Sequence, residues 1–280
     1  DHLVEENLKI KTEGKKSKEI QELLQKNKIK CPKCAGELSE VYDYNLMFRS
    51  TIGPGKDKIE GALRPETAQT TYMAFRRLFE IGRKKLPLCV LQMGKSFRNE
   101  ISPRKALVRL REFTQAEIQL FVHPKKKEWD LSEVKDADAL VLTKNDQLKD
   151  TKPKKMKISG LAEKKLTNSM IAYFLGASLE LYKRMGIDAK KLRLRQHRDD
   201  ERSFYSSDTW DVEFLSDKYG RIELVGIADR TDYDLKRHQE LSKQGMEVSI
   251  DGEKFIPHVV EVAYGIDRPL LCILESCLRE

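Results

Sequence analysis

Arg98, in Phe97-Arg98-Asn99-Glu100, and Arg109, in Val108-Arg109-Leu110-Arg111-Glu112-Phe113, fall on what read as successive strands joined by a short loop carrying Pro103. A guanidinium stays charged at any relevant pH and offers a planar fork of donors that matches phosphate oxygens in pairs, so two of them on a hairpin suit a polyphosphate. From Leu107 a period of two places Arg109, Arg111, Phe113 and Glu117 on one face. The same spacing also suits solvated arginines on an exposed sheet, paired with Glu100 and Glu112, and spacing alone leaves both readings open.

The elements that must position these groups are legible as patterns. Leu88-Cys89-Val90-Leu91-Gln92-Met93 is apolar and β-compatible, with Gly94 and Pro103 as punctuation. Ahead of it, Pro65 suits the first position of a helix whose buried stripe is Ala68, Tyr72, Phe75 and Phe79 and which ends near Gly82. Glu66 would then sit at the helix N-terminus, where the helix dipole alone explains a carboxylate. Residues 1–40 form a lysine-rich insertion with a short helix around Ser17 to Gln25, followed by Cys31-Pro32-Lys33-Cys34, half of a tetrahedral zinc site. Cys89, Cys272 and Cys277 read as small core residues. Residues 41–122 form the first part of the core. In 123–186 the composition shifts to a basic inserted subdomain, with Lys125-Lys126-Lys127 and Lys152-Pro153-Lys154-Lys155. Its second half carries Leu166, Met170, Tyr173, Ala177 and Leu181 at helical spacing, stopped by Gly186. The lysines suit either an RNA backbone or a solvated face. Residues 187–280 complete the core.

With 280 residues, 39% of them apolar, the chain can bury a sizeable core, which excludes a disordered or fibrous protein. A net charge of +8 is compatible with an acidic partner such as nucleic acid and equally with a lysine-rich solubilising surface. No run is long enough to span a membrane and no signal-like segment opens the chain, so a cytoplasmic protein is expected. Five scattered cysteines are too few for a disulfide framework.

Read as strings, Leu63-Arg64-Pro65-Glu66-Thr67-Ala68-Gln69, Phe97-Arg98-Asn99-Glu100-Ile101-Ser102-Pro103-Arg104 and Arg111-Glu112-Phe113-Thr114-Gln115-Ala116-Glu117-Ile118 resemble class II aminoacyl-tRNA synthetases, and most closely the glycyl family of the archaeal and eukaryotic kind. Tyr44-Asn45-Leu46-Met47-Phe48, Arg195-Gln196-His197, Asp208-Thr209-Trp210-Asp211, Glu223 to Arg230 and Glu261 to Arg268 agree in order. The resemblance runs from about Val41 onward. It implies an α+β catalytic fold, an antiparallel β-sheet flanked by helices and interrupted by inserted subdomains.

It also implies roles. Glu66, Glu117 and Glu261, with Val262 and Ala263, match positions that bind glycine, and three converging carboxylates would call for a cation such as the substrate's ammonium. Arg98, Asn99, Glu100, Arg109, Leu110, Glu223, Leu224 and Arg268 match positions that hold ATP, with Arg98 at the α-phosphate and Arg268 at the γ-phosphate as the catalytic pair. Glu223 is the expected Mg²⁺ ligand, with Asp267 as its assistant, and Cys31 and Cys34 half of a structural Zn²⁺ site in the intact protein. Ser102 to Lys105 would touch the tRNA acceptor end. The implied reaction is activation of glycine to glycyl-adenylate and transfer to tRNA(Gly) by a homodimer. The alternatives are an inactive nucleic-acid-binding paralogue and a glycine-adenylating enzyme with a non-tRNA acceptor. The chain departs from the family pattern in the last motif, where Glu-Pro-Ser is Glu261-Val262-Ala263 and Gly-x-Gly-Arg is Gly265-Ile266-Asp267-Arg268, at Thr70, which replaces a glycine, and at Ser203-Phe204-Tyr205-Ser206, which replaces an Ala-His-Tyr-Ala run. Loss of the hydroxyl at Ala263 is expected to relax exclusion of alanine or serine.

Overall fold

A computed structural model describes residues 2–10, 12, 15–101, 103 and 106–278. The expected acceptor contacts of Ser102, Arg104 and Lys105 therefore lie outside the described residues. In chain order the helices are α1 (His2–Leu8), α2 (Ser17–Lys26), α3 (Ala68–Ile81), α4 (Lys144–Leu148), α5 (Ser159–Glu163), α6 (Ser169–Arg184), α7 (Tyr233–Ser242) and α8 (Asp267–Cys277). The strands are β1 (Arg49–Ile52), β2 (Ile59–Ala62), β3 (Leu88–Phe97), β4 (Glu112–Val122), β5 (Asp138–Leu142), β6 (Lys154–Lys157), β7 (Leu192–Gln196), β8 (Asp208–Ser216), β9 (Gly220–Thr231), β10 (Val248–Ile250), β11 (Glu253–Phe255) and β12 (His258–Gly265).

Two compact units result, one holding residues 1–46 with 199–201 and the other 47–198 with 202–280. The first closes a small core of Val4, Ile20 and Leu24. The second is built on one sheet of eight strands in the order β3-β4-β12-β9-β8-β7-β5-β6. Its pairs are antiparallel except β5 with β7, which run parallel, so the sheet is mixed where a purely antiparallel one was expected. Strands β5 and β6 come from residues 123–186 and extend this same sheet, so that block is continuous with the core sheet and does not form a separate insertion.

Helix α3 begins at Ala68, with Thr67 in the N-cap position, three residues later than Pro65 would set it. Its buried stripe is Ala68, Thr71, Tyr72, Phe75 and Phe79. Helix α6 is capped by Asn168, whose side chain accepts from the Ile171 amide at 2.9 Å, and Gly186 at φ 92° ends the segment. Its buried face is broader than expected and rotated: Met170, Ile171, Phe174, Leu175, Leu179 and Tyr182 are buried while Leu181 is exposed. The helix packs on the sheet over more than a single stripe, which a one-face periodicity underestimates. Cys89 and Cys277 are exposed and only Cys272 is buried, because β3 is an edge strand that alternates in and out and Cys277 is the last residue of α8.

Candidate active site

The cross-strand register lays the cavity floor. Glu117 on β4 pairs with Ala263 on β12, Ala263 with Gly226 on β9, and Gly226 with Asp211 on β8. The next row reads Gln119, Glu261, Ala228 and Thr209. Because alternate residues face one side, the small Ala263 and Gly226 in the middle of the first row leave a trough flanked by the carboxylates of Glu117 and Asp211. It opens into a cavity of about 450 Å³. Glu66, Arg98, Glu100, Arg109, Leu110, Glu117, Glu223, Leu224, Glu261, Ala263, Asp267 and Arg268 all border it, so most of the expected site residues come together. Asn99 is not part of the lining. Val262 pairs with Ile118 and Ile227 and is fully buried on the opposite face of the sheet, so its side chain faces the core and not a ligand.

At one end, Glu117 is 2% exposed, and one carboxylate oxygen accepts from the Thr67 hydroxyl at 2.6 Å and the Thr67 amide at 3.2 Å. Burial, then the neighbouring Glu261, pushes its pKa up to about 7 against those two hydrogen bonds. Glu66 accepts from the Gln69 side chain at 2.7 Å, and the carbonyl oxygen of that amide accepts from Nε2 of His238 at 2.8 Å. A threonine at an N-cap ordinarily accepts from the helix's own first amides, a contact whose loss costs about 1 kcal/mol. Thr67 makes no such bond and directs its hydroxyl to Glu117.

The third carboxylate behaves differently. Glu261 receives both oxygens' contacts from Arg230 at 3.1 Å, with Gln119 at 2.9 Å and Tyr72 at 3.3 Å completing its shell. Burial raises its pKa, and Arg230 opposes that shift. Arg230, itself 3% exposed, also binds Asp234 at 2.7 and 2.8 Å and lies 4.3 Å over the ring of Tyr205. Burial works against its charge, but Glu261 and Asp234 more than offset this and hold its pKa above normal. The protein thus supplies its own cation to Glu261, which still lines the cavity, and Glu66 and Glu117 are the members of the expected trio with no cation partner among the described residues. Arg230 is a residue that sequence reasoning quoted without a role. No local pattern marked it, because Arg230 lies at the end of β9 and Asp234 in the first turn of α7, and the chain turn between them makes the pair. Tyr205, the one residue of Ser203–Ser206 that keeps the family type, stacks on Arg230, and the Ser206 hydroxyl donates to the Asp208 carbonyl at 2.8 Å. The Thr70 hydroxyl donates to the Thr67 carbonyl at 2.7 Å.

At the other end the arginines sit in the loop between β3 and β4, not on the strands. Arg98 follows β3, and Arg109 follows a short 3₁₀ turn at Ala106–Val108, so the period-two face begins only at Phe113. The Arg98 guanidinium lies 5.4 Å over Phe113 and donates to the Pro65 carbonyl at 3.4 Å. Arg109, 62% exposed, is 3.9 Å from Glu100. Arg268 donates to the carbonyls of Val108 at 3.0 Å and Glu223 at 2.8 Å, and Asp267 accepts from the Thr114 amide at 2.7 Å.

Asp211 accepts from His197 at 2.7 Å, and its pKa rises to about 6, chiefly through burial and, among charges, Glu223. A Cβ placed on Gly226 would come within 3.3 Å of a Glu223 oxygen and 3.9 Å of an Asp211 oxygen, so glycine keeps the space beside these two carboxylates open. That donor set fits a cation of the Mg²⁺ type, which takes one or two carboxylates and completes its shell with phosphate oxygens and water. Among the described residues no group of three or more His, Cys, Asp or Glu could hold a metal alone. Cys31 and Cys34, both without a disulfide, therefore do not make a zinc site by themselves; turn hydrogen bonds from Lys33 and Cys34 lower the Cys31 thiol.

The profile of the family described as "tRNA synthetase class II core domain (G, H, P, S and T)" matches residues 53–277. The chain belongs to that family. Among curated family members, it is 39% identical to a glycine–tRNA ligase of Methanocaldococcus jannaschii, covering 100% of this chain and 64% of the relative. It is 44% identical to a glycine–tRNA ligase of Pyrococcus abyssi, covering 93% of this chain and 46% of the relative. The chain thus spans between about half and two thirds of the length of these family members. A prolyl-tRNA synthetase of Giardia lamblia solved with prolyl-adenylate shares the fold, with a TM-score of 0.53 at 16% identity over 82% of this chain and 36% of the other.

Proposed function

We propose that the chain is the catalytic core of a glycine–tRNA ligase, activating glycine with ATP and passing it to tRNA(Gly). The observation that carries this reading is a cavity with two acids at one end that have no cation partner among the described residues, over a floor of Ala263 and Gly226, and arginines at the other. Glu66 and Glu117 attract an ammonium group. Arg98 then opposes charge on the α-phosphate, and Arg109 and Arg268 receive the outer phosphates. Mg²⁺ at Glu223, when bound, withdraws charge from the phosphate oxygens.

The glycine carboxylate attacks the α-phosphorus in line, forming a new P–O bond as the bond to pyrophosphate breaks. The acceptor's ribose hydroxyl next attacks the glycyl carbonyl, losing its proton while AMP leaves. Positioning supplies most of the acceleration, since no side chain need break a covalent bond of its own. The identities of the curated relatives support glycine as substrate and tRNA as acceptor. The edge strand β3, which exposes Leu91 and Met93, supports a homodimer. No helix among the described residues is long and apolar enough to cross a membrane, which accords with a cytoplasmic enzyme.

The test is ATP–pyrophosphate exchange by the intact protein with glycine, alanine and serine in turn. Glycine-dependent exchange, followed by charging of tRNA(Gly), is expected. Exchange driven by alanine or serine instead would overturn the substrate, and no exchange with any of them would overturn the enzyme.

A further inference from the structure

The opening of α3 breaks a local rule beside the cavity. Thr67 is fully buried in the N-cap position, yet its hydroxyl makes no bond to the helix it precedes and donates at 2.6 Å to Glu117, which lies fifty residues away in sequence. Two residues on, Gln69 donates at 2.7 Å to Glu66, and its own carbonyl oxygen is fixed by His238 at 2.8 Å. A carboxylate only accepts, so the Gln69 amide is oriented with nitrogen toward Glu66 and oxygen toward His238, whose Nε2 carries the proton. The Thr70 hydroxyl ties back to the Thr67 carbonyl at 2.7 Å. Each acid is thereby gripped by a single oxygen: Oε2 of Glu117 and Oε1 of Glu66. Their other oxygens have no hydrogen bond among the described residues. Local consistency is given up where a site needs it.

We infer that the turn opening α3 is an aiming device, in which Thr67 and Gln69 are positioning residues that each hold one oxygen of Glu117 and Glu66 and leave the second oxygen of each acid to grip the ligand's ammonium. The inference rests on the glycine-activating reading and deepens it. Two acids with one free oxygen apiece offer a small primary ammonium two directed acceptors at a fixed separation. Freely rotating carboxylates would have to be ordered by the ligand itself. Orientation at this end thus comes from the protein before substrate arrives.

The charge environment gives the inference a distinctive signature. Glu117 faces Glu66 from the segment before α3, Glu261 on β12, and Arg230 on β9 through its pair with Glu261. Burial and the two acids raise its pKa, and the hydrogen bonds from Thr67 are the force that opposes them. Removing the Thr67 hydroxyl therefore raises the Glu117 pKa further, above about 7. A neutral carboxyl holds an ammonium weakly.

The test is ATP–pyrophosphate exchange by the intact protein, measured across pH with glycine and ATP varied separately, for wild type, Thr67→Val, Thr67→Ser and Gln69→Leu. For Thr67→Val the glycine KM should rise roughly tenfold or more at pH 7, the cost of losing hydrogen bonds to a charged group. The acid limb of kcat/KM for glycine should move to higher pH and the ATP KM should stay put. Thr67→Ser should restore both. Gln69→Leu should raise the glycine KM without moving that limb. If Thr67→Val leaves the glycine KM and the pH limb where they were, the inference fails. It fails equally if glycine and ATP KM rise together and serine does not rescue, since Thr67 would then only hold the helix. If wild type shows no glycine-dependent exchange, the underlying reading is overturned and this inference with it.

Discussion

At the acid end of the cavity, Glu117 is 2% exposed and the Arg230 and Glu261 side chains 4% and 13%, each held by named partners, whereas at the arginine end Arg109 is 62% exposed and Arg268 35%. The acids meet threonine, glutamine and a buried guanidinium; the arginines meet backbone carbonyls, the Phe113 ring and the outlying carboxylates of Glu100 and Glu223. The contrast follows from what each end would bind. A single ammonium on a very small ligand carries little binding surface, so the protein must bring desolvated, pre-aimed charge to it. A polyphosphate brings several charges of its own and can be gripped by exposed forks that need no burial.

Four changes would sharpen or break this contrast, the largest effect first. Arg230→Gln leaves Glu261 and Asp234 buried without their cation and is expected to destabilise the fold by about 3–5 kcal/mol, read from chemical denaturation; a loss under about 1 kcal/mol would mean the acid end is not held by this pair. Arg98→Ala should lower kcat/KM in pyrophosphate exchange about 10²–10³-fold with the fold intact, and Arg98→Lys should recover only part, because lysine supplies charge without the fork.

Glu117→Gln should do two things at once. The glycine KM should rise while the protein becomes more stable at alkaline pH. The sign follows from a folded pKa raised from 4.5 to about 7: protonation is favoured in the fold, so stability present below pH 4.5 is lost as pH climbs through 7. An uncharged glutamine escapes that loss, a gain of about 1–3 kcal/mol at pH 8 that vanishes near pH 4. Arg109→Ala should be the mildest, raising the ATP KM a few-fold and only at low salt, as befits an exposed charge.

Much of this was legible before any coordinates. Period-two alternation placed Phe113 and Glu117 on one face, 3.6 periodicity gave α3 its stripe, and the strings around Arg98, Glu117, Glu223 and Arg268 brought most of the cavity wall together. What escaped were properties of register and long-range pairing. Val262 faces the core because strands alternate, which the string Glu261-Val262-Ala263 already implied and a motif match concealed. The parallel junction of β5 with β7 joins residues about fifty apart, and no local pattern encodes it. The pairing of Arg230 with Glu261 likewise crosses between β9 and β12, so three acids seemed to require an outside cation when one was already supplied from within. Arg109 read as a strand residue because Ala106-Leu107-Val108 is apolar throughout, so no period separates a 3₁₀ turn from a strand entrance there.

The most direct measurement is a crystal structure of the intact protein with a non-hydrolysable glycyl-adenylate analogue. Its amino group is expected within hydrogen-bonding distance of the free oxygens of Glu66 and Glu117, with the phosphate mimic against Arg98. An amino group lodged instead against Asp211 and Glu223, or an analogue excluded by an Arg230 that has swung into the trough, would contradict the assignment of the two ends.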